Sequence, residues 1–121
     1  MGFWKKSVMF TAGGCAYMGL ELLWRGWTHG SMFLAGGSCF LLLGEMDRHP
    51  APRLVKGLMG ATVITSVELL TGLMVNRRYG VWDYRRMPLN FHGQVCLPFF
   101  LLWIPVSLGA MELYKIADKH I

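Results

Sequence analysis

Gly19 to Met32 reads GLELLWRGWTHGSM, and its charged residues recur every fourth position inside a chain that is otherwise strongly apolar. On a continuous helix, Glu21, Arg25 and His29 would line one face, because side chains four apart stack above one another. Upstream, Ser7 to Trp24 forms an apolar block, and downstream Trp27 to Met46 forms a second with an uncharged centre, GSMFLAGGSCFLLLG. A polar stripe between two such blocks belongs to the interior of a membrane protein, since it would have no solvent to face.

The rest of the chain repeats that character. Leu54 to Val75 is a third apolar block with Glu68 in its C-terminal third, and Val95 to Tyr114 is a fourth containing Pro98 and Pro105. About 20 apolar residues cross a hydrocarbon core, so four spans are expected, the second being short unless its ends count. The 121 residues predict one domain, and 54% hydrophobic content with a mean hydropathy of +0.39 exceeds the usual soluble composition. The expected fold is all-α: an integral membrane four-helix bundle with helices over about 7–24, 27–46, 54–75 and 95–114. Prolines in the fourth helix imply a bend, with neighbours re-satisfying the freed carbonyls. Lys5 and Lys6 before an apolar run imitate a signal peptide, but Glu21 lies inside that run and three more spans follow, so an uncleaved first helix is expected.

The net charge of +5 is accounted for by membrane topology; a nucleic-acid interface would need a basic face on a soluble module, and no nucleic-acid partner is expected. With four spans both termini share a side. That side holds Lys5, Lys6, Arg48, Arg53, Lys56, Lys115 and Lys119, seven cations against Arg25, Arg77, Arg78, Arg85 and Arg86, five, on the other. The positive-inside rule then puts both termini in the cytoplasm of a bacterial inner membrane. Cys15, Cys39 and Cys96 fall in separate blocks and read as packing residues, with neither disulfide nor metal-ligand spacing.

At an offset of 47, Gly13 aligns with Gly60, Glu21 with Glu68, Leu22 with Leu69 and Leu23 with Leu70. Such a match predicts two repeated helical hairpins. It sets Gly72 opposite Arg25 and Asn76 opposite His29, so the third helix carries its own stripe of Glu68, Gly72 and Asn76. The segment NRRYGVWDYRRMPLNFHGQ then reads as an interfacial connection, with Tyr79, Trp82, Tyr84 and Phe91 at headgroup depth. Pro88 ends it, and the fourth helix is expected from near Asn90, which would put Asn90 and Gln94 one turn apart.

Buried carboxylates cost about 2.5 kcal/mol or more in a bilayer, so Glu21 and Glu68 should point inward. Arg25 is the obvious counter-charge for Glu21, able to fork onto a carboxylate or equally to snorkel to the headgroups. His29 would shuttle protons or sit solvated at the interface. Asp83 is either a site carboxylate or a turn residue, and Asn90 either a ligand or a helix cap. The candidate substrate-binding set is therefore Glu21, Arg25, His29, Glu68, Asn76, Asp83, Asn90 and Gln94, with no metal ligands, an unknown cofactor and no assigned catalytic residue. Seven glycines, Gly13, Gly14, Gly19, Gly36, Gly37, Gly57 and Gly60, would let the helices approach closely.

GLELLWRGWTHGSMFLAGG, then Glu68, then VWDYRRMPLNFHGQVC together resemble the bacterial membrane family called ABC-transporter type IV, or CmpB-like, over roughly Gly13 to Leu97. The resemblance implies a membrane protein of four or more helices with a shared polar core. No Walker A pattern occurs in the chain, so ATP hydrolysis would need a separate subunit. Three functions fit these features. A small transporter or channel, paired with a second copy or a partner subunit in the lipid bilayer, would use the two glutamates for a cation or proton. An intramembrane enzyme would act on a lipid-like substrate with Glu21, Asp83 or His29 as acid or base. A non-catalytic membrane subunit would use the polar residues for assembly.

Overall fold

Glycine and proline punctuate the helices. A computed structural model describes residues 2–26, 29–80 and 82–120, without the side chains of Trp24 and Arg25. Among the described residues are four helices, α1 (Phe3–Arg25), α2 (Gly30–Asp47), α3 (Arg53–Val75) and α4 (Leu97–His120), and a two-stranded antiparallel hairpin, β1 (Asn90–Phe91) and β2 (Val95–Cys96).

α1 stops because Gly26 turns left-handed, φ 79°, and its N–H closes on the Leu22 carbonyl at 3.0 Å. α2 restarts with His29 as its N-cap, the imidazole Nδ1 accepting from the Ser31 N–H at 3.1 Å. One helix therefore does not carry Glu21, Arg25 and His29 as a single stripe: Gly26 breaks the register between the last two. Pro50 and Pro52 bound the α2–α3 turn, where proline disfavours helical backbone in the residue before it. Pro98 stands in the first turn of α4, where its missing N–H costs no helical bond, and the helix runs on through Pro105 to His120.

α4 begins at Leu97, so Asn90 and Gln94 are not one turn apart on it. Asn90 lies on β1 opposite Cys96, and the hairpin turns through His92 and Gly93, φ 53° and 67°, closed by Gln94 N–H to Phe91 O at 3.0 Å. Two consecutive positive φ values carry the chain through residues 92–94, between the paired Phe91 and Val95.

Backbone contacts divide the chain into two units, residues 1–50 with 109–121 and residues 51–108. In the first, α1 and α2 meet at paired glycines. A Cβ on Gly14 would stand 2.6 Å from the Phe33 carbonyl oxygen, one on Gly37 2.7 Å from that of Phe10, and one on Gly36 2.6 Å from Tyr17 Cβ. Aromatic side chains flank each glycine pair, and Phe10 meets Phe33 edge to face at 5.6 Å. Small residues bring the backbones close and the rings fill the flanks, the packing on which helices rely where hydrophobic expulsion offers no drive. Met9, Leu43, Met111 and Tyr114 complete this core. At one end of the unit, Lys5 pairs with Asp118 at 3.2 Å and Lys115 with Asp47 at 3.2 Å.

In the second unit, α3 buries Gly57, Gly60, Ala61, Glu68 and Gly72 along one stripe and turns Leu58, Met59, Leu70 and Met74 outward. Its small residues admit α4, whose Ile104 Cγ2 would lie 2.8 Å from a Cβ at Gly57. α3 and α4 are each long and apolar enough to cross a membrane. Among the described helices the other two, α1 and α2, fall short of that measure.

Candidate functional site

The buried stripe of α3 leads to a carboxylate. Glu68 is 8% exposed, and its two oxygens accept from different elements: Oε2 from the Tyr84 hydroxyl at 2.9 Å and Oε1 from Trp103 Nε1 at 3.4 Å. Tyr84 comes from the connecting segment and Trp103 from the second turn of α4. Phe99, one turn before Trp103, stacks on Tyr84 with centroids 5.0 Å apart and lies 6.1 Å from the Trp103 ring. A buried carboxylate needs donors, and Tyr and Trp supply them on otherwise apolar bodies.

Two turns beyond Glu68, Asn76 ends α3 and holds the segment that delivers Tyr84. Its Nδ2 donates to the Trp82 carbonyl at 2.7 Å and to Gln94 Oε1 at 2.9 Å, while its Oδ1 accepts from the Trp82 N–H at 3.1 Å. Gln94 Nε2 returns a bond to the Asn76 carbonyl at 3.0 Å, and Trp82 Nε1 donates to the Gln94 carbonyl at 2.8 Å. Asn76 and Gln94 are 1% and 2% exposed, so this is a closed polar clasp in an apolar setting. Gly72 makes room for it: a Cβ there would collide with Gln94 Oε1.

Asp83 and Arg85 lie on the outer side of the segment. Arg85 forks onto Asp83, Nε to Oδ1 at 2.9 Å and Nη2 to Oδ2 at 2.8 Å, and its main-chain N–H adds a bond at 3.0 Å. These bonds hold the Asp83 carboxyl down at about 2, well below its ordinary 3.8. The Arg85 guanidinium also lies over the Tyr79 ring, 4.2 Å from its centroid. Asn90 organises the turn before the hairpin, donating to the Arg85 and Met87 carbonyls and accepting from the Gly93 N–H.

The sequence profile of the family described as "Putative ABC-transporter type IV" matches residues 7–120. The chain belongs to this family. No curated protein and no solved structure matches it. The match to the type IV family takes in α1 from Ser7, the whole of α2 and α3, the connecting segment and all of α4, so Glu68, Asn76, Tyr84, Gln94 and Trp103 all lie within it.

Of the eight residues proposed from the sequence of this type IV member, five lie in the second unit. There the structure joins Asn76 to Gln94 directly and ties both to the segment whose Tyr84 reaches Glu68, while Asp83 and Asn90 bond within that segment. The other three, Glu21, Arg25 and His29, belong to the first unit. Glu21 is half-buried on α1, the Arg25 side chain lies outside the described residues, and His29 is exposed at the α2 N-terminus with Nδ1 2.8 Å from Ser31 Oγ. On a continuous helix, residues two apart face away from each other; a cap position lets His29 and Ser31 meet. Trp103 and Phe99 were not among the candidates. A buried carboxylate needs donors, and Trp103 is the tryptophan of the fourth apolar block.

Proposed function

We propose that this chain is an integral membrane protein of a transport system, a single domain whose four helices all cross the bilayer and whose Glu68 handles a proton or a cationic solute. The observation that carries this reading is a carboxylate 8% exposed in the C-terminal third of an apolar helix, with aromatic donors on both oxygens. Ionisable groups at bilayer depth are expensive, and their ordinary use is in ion and substrate pathways. Membership of a family described as transporter-related supports the reading, as does the outward Leu, Val and Met face of α3.

Several finer features belong to the same proposal. The Lys5–Asp118 and Asp47–Lys115 pairs bring the start of α1 and the ends of α2 and α4 together, as an even number of spans would require. With the excess of lysine and arginine on that side, both termini then face the cytoplasm of a bacterial inner membrane. Glu21, Arg25 and His29 form the polar portion of the first hairpin, as Glu68, Asn76, Asp83, Asn90 and Gln94 do for the second. Four helices enclose little volume, so a second copy or a partner subunit completes the pathway.

Proton flux into pyranine-loaded proteoliposomes under an imposed pH gradient tests the reading. Glu68→Gln should abolish flux in a protein whose helical circular dichroism is intact, and Glu21→Gln should reduce it. Flux unchanged by Glu68→Gln, in folded protein, refutes it.

A further inference from the structure

We infer that the segment between α3 and α4 and the groove beside it form a binding site for one anionic phospholipid, its phosphate held by Arg78 and Arg86 and an acyl chain lying against Leu89, Leu97 and Phe100. The inference takes from the preceding reading only that the helices lie in a bilayer, and nothing of transport.

The segment is strongly cationic. Residues 76–96 carry Arg77, Arg78, Arg85 and Arg86 against a single carboxylate, Asp83. Arg85 has taken that carboxylate, Nη2 to Oδ2 at 2.8 Å. Arg77 donates its Nε to the Leu73 carbonyl at 2.7 Å, and Arg86 attracts Asp83 without bonding to it. Among the described residues Arg77, Arg78 and Arg86 make no ion pair, and all three are exposed. Tertiary contacts bring the two ends of the segment together. The Arg85 guanidinium lies 4.2 Å from the Tyr79 centroid, and the Tyr79 hydroxyl donates to the His92 carbonyl at 3.1 Å. Arg78 and Arg86 are thus the chain neighbours of two residues in contact. Arginine forks onto phosphate with paired N–H bonds, and each cation near a membrane surface favours anionic lipid by about fivefold.

An open groove of about 300 Å³ in the same unit is lined by Thr65, Leu89, Val95, Cys96, Leu97 and Phe100. Apart from the Thr65 hydroxyl and the Cys96 thiol its wall is apolar, a surface from which an acyl chain displaces water favourably. Leu89 joins the groove to the cations. Beside it in the chain, Asn90 Nδ2 donates to the Arg85 and Met87 carbonyls at 3.2 and 3.0 Å, on either side of Arg86. The three residues from Arg86 to Leu89 span at most about 11 Å. At the groove's other wall, Thr65 stands near the middle of α3, about 16 Å of helix rise before Asn76. That is close to half of a hydrocarbon core about 30 Å thick. The groove therefore joins the cationic segment to the middle of a membrane-long helix, the course an acyl chain takes from its headgroup. A dissolved anion would meet the arginines but leave this wall uncovered, and so would leave the exposed Leu89 and Phe91 of the same segment.

Native mass spectrometry of the full chain in detergent micelles, with equimolar dioleoylphosphatidylglycerol and dioleoylphosphatidylcholine, tests the inference. Wild-type protein should retain one phosphatidylglycerol in preference to the zwitterionic lipid by about tenfold or more. Arg78→Gln and Arg86→Gln should each lower that preference by about fivefold. Lys119→Gln, which removes a like charge from the last turn of α4, should leave it within about twofold of wild type. Asp83→Asn, which releases Arg85 from its partner, should raise it by about fivefold. Leu89→Asn, a residue that accepts the φ of 51° there, should cut retention of both lipids by about threefold or more. Equal retention of the two lipids by wild type, or a preference unmoved by both arginine variants in protein of unchanged helicity, would overturn the inference. So would displacement of the lipid by equimolar glycerophosphoglycerol or an acidic peptide, which would make the patch a site for anions from solution. Glu68-dependent proton flux without a lipid preference would remove this inference and leave the transport reading standing; a lipid preference without that flux would do the reverse.

Discussion

Truncating Asn76 to alanine should release the segment between α3 and α4 while leaving the helices folded. The side chain bonds to the Trp82 carbonyl, the Trp82 N–H and Gln94 Oε1. Removing it strands three groups at once, in a place where Trp82 is 9% and Gln94 2% exposed. Each buried polar group left without its partner costs about 1–3 kcal/mol. Local opening lets water reach them, which favours the lower end, about 3 kcal/mol in all. At about 1.4 kcal/mol per factor of ten, the open form becomes about a hundredfold more populated. Arg77, Arg78 and Arg86 provide trypsin sites in that segment, and when opening is fast relative to cleavage the cutting rate follows the open population. Limited trypsinolysis of the protein in micelles should therefore cut Asn76→Ala between α3 and α4 about a hundredfold faster than wild type. Asn76→Asp, which keeps the acceptor for Trp82 N–H and loses the donors, should be similarly labile. Wild-type resistance in Asn76→Ala, with helicity retained, would show that the clasp does not hold the segment.

Gly14→Val should lower stability by about 1–3 kcal/mol in a denaturant titration, because the new side chain meets the Phe33 carbonyl and overpacks α1 against α2. Gly19→Ala, on the same helix but with nothing within 4 Å, should be neutral or stabilising by up to about 1 kcal/mol. Asp83 has a carboxyl lowered from 3.8 to about 2, so its pairing with Arg85 is complete above pH 3.8 and is lost as pH falls through about 2. Near-ultraviolet circular dichroism of the Tyr79–Tyr84 segment should change across that window, added salt should reduce the change, and Asp83→Asn should abolish it. His29→Ala should cost about 1 kcal/mol through loss of the α2 cap, with His29→Asn restoring most of it in the same titration.

The helices were legible because their cause is local. Apolar blocks, Pro50 and Pro52, and the inward demand on Glu68 each follow from composition and the cost of burial. The α1–α2 contact is readable too, at an offset other than 47. Phe10 to Tyr17, FTAGGCAY, and Phe33 to Phe40, FLAGGSCF, match 23 residues apart, and these are the glycine pairs and flanking rings that meet. The hairpin was not readable. Its strands are two residues each, too short for any period, and the left-handed positions at Tyr79, Leu89 and His92 carry no glycine to signal them. Asn90 and Gln94 are four apart and so mimic a helix, when their spacing reflects a strand followed by a turn. His29 misled in the same way: a four-residue interval means a shared face only if the helix persists, and Gly26 ends it.

Three non-glycine residues with positive φ in one connecting segment need a compensating restraint, since each costs about 1 kcal/mol or more. The clasp supplies it. Asn76 and Gln94 pin Trp82 from both sides, and Trp82 is two residues from Tyr84, so the bonds that fix the indole also aim the phenol at Glu68. Gly72 is the condition for all of this, because any Cβ there would occupy the place of the Gln94 amide oxygen. The stripe Glu68, Gly72, Asn76 on α3 thus divides its work by position. Its first residue carries the charge, its second leaves space and its third ties down the segment that covers the first. Moving any one of them by a single residue would turn it about 100° around the helix and separate the carboxylate from its cover.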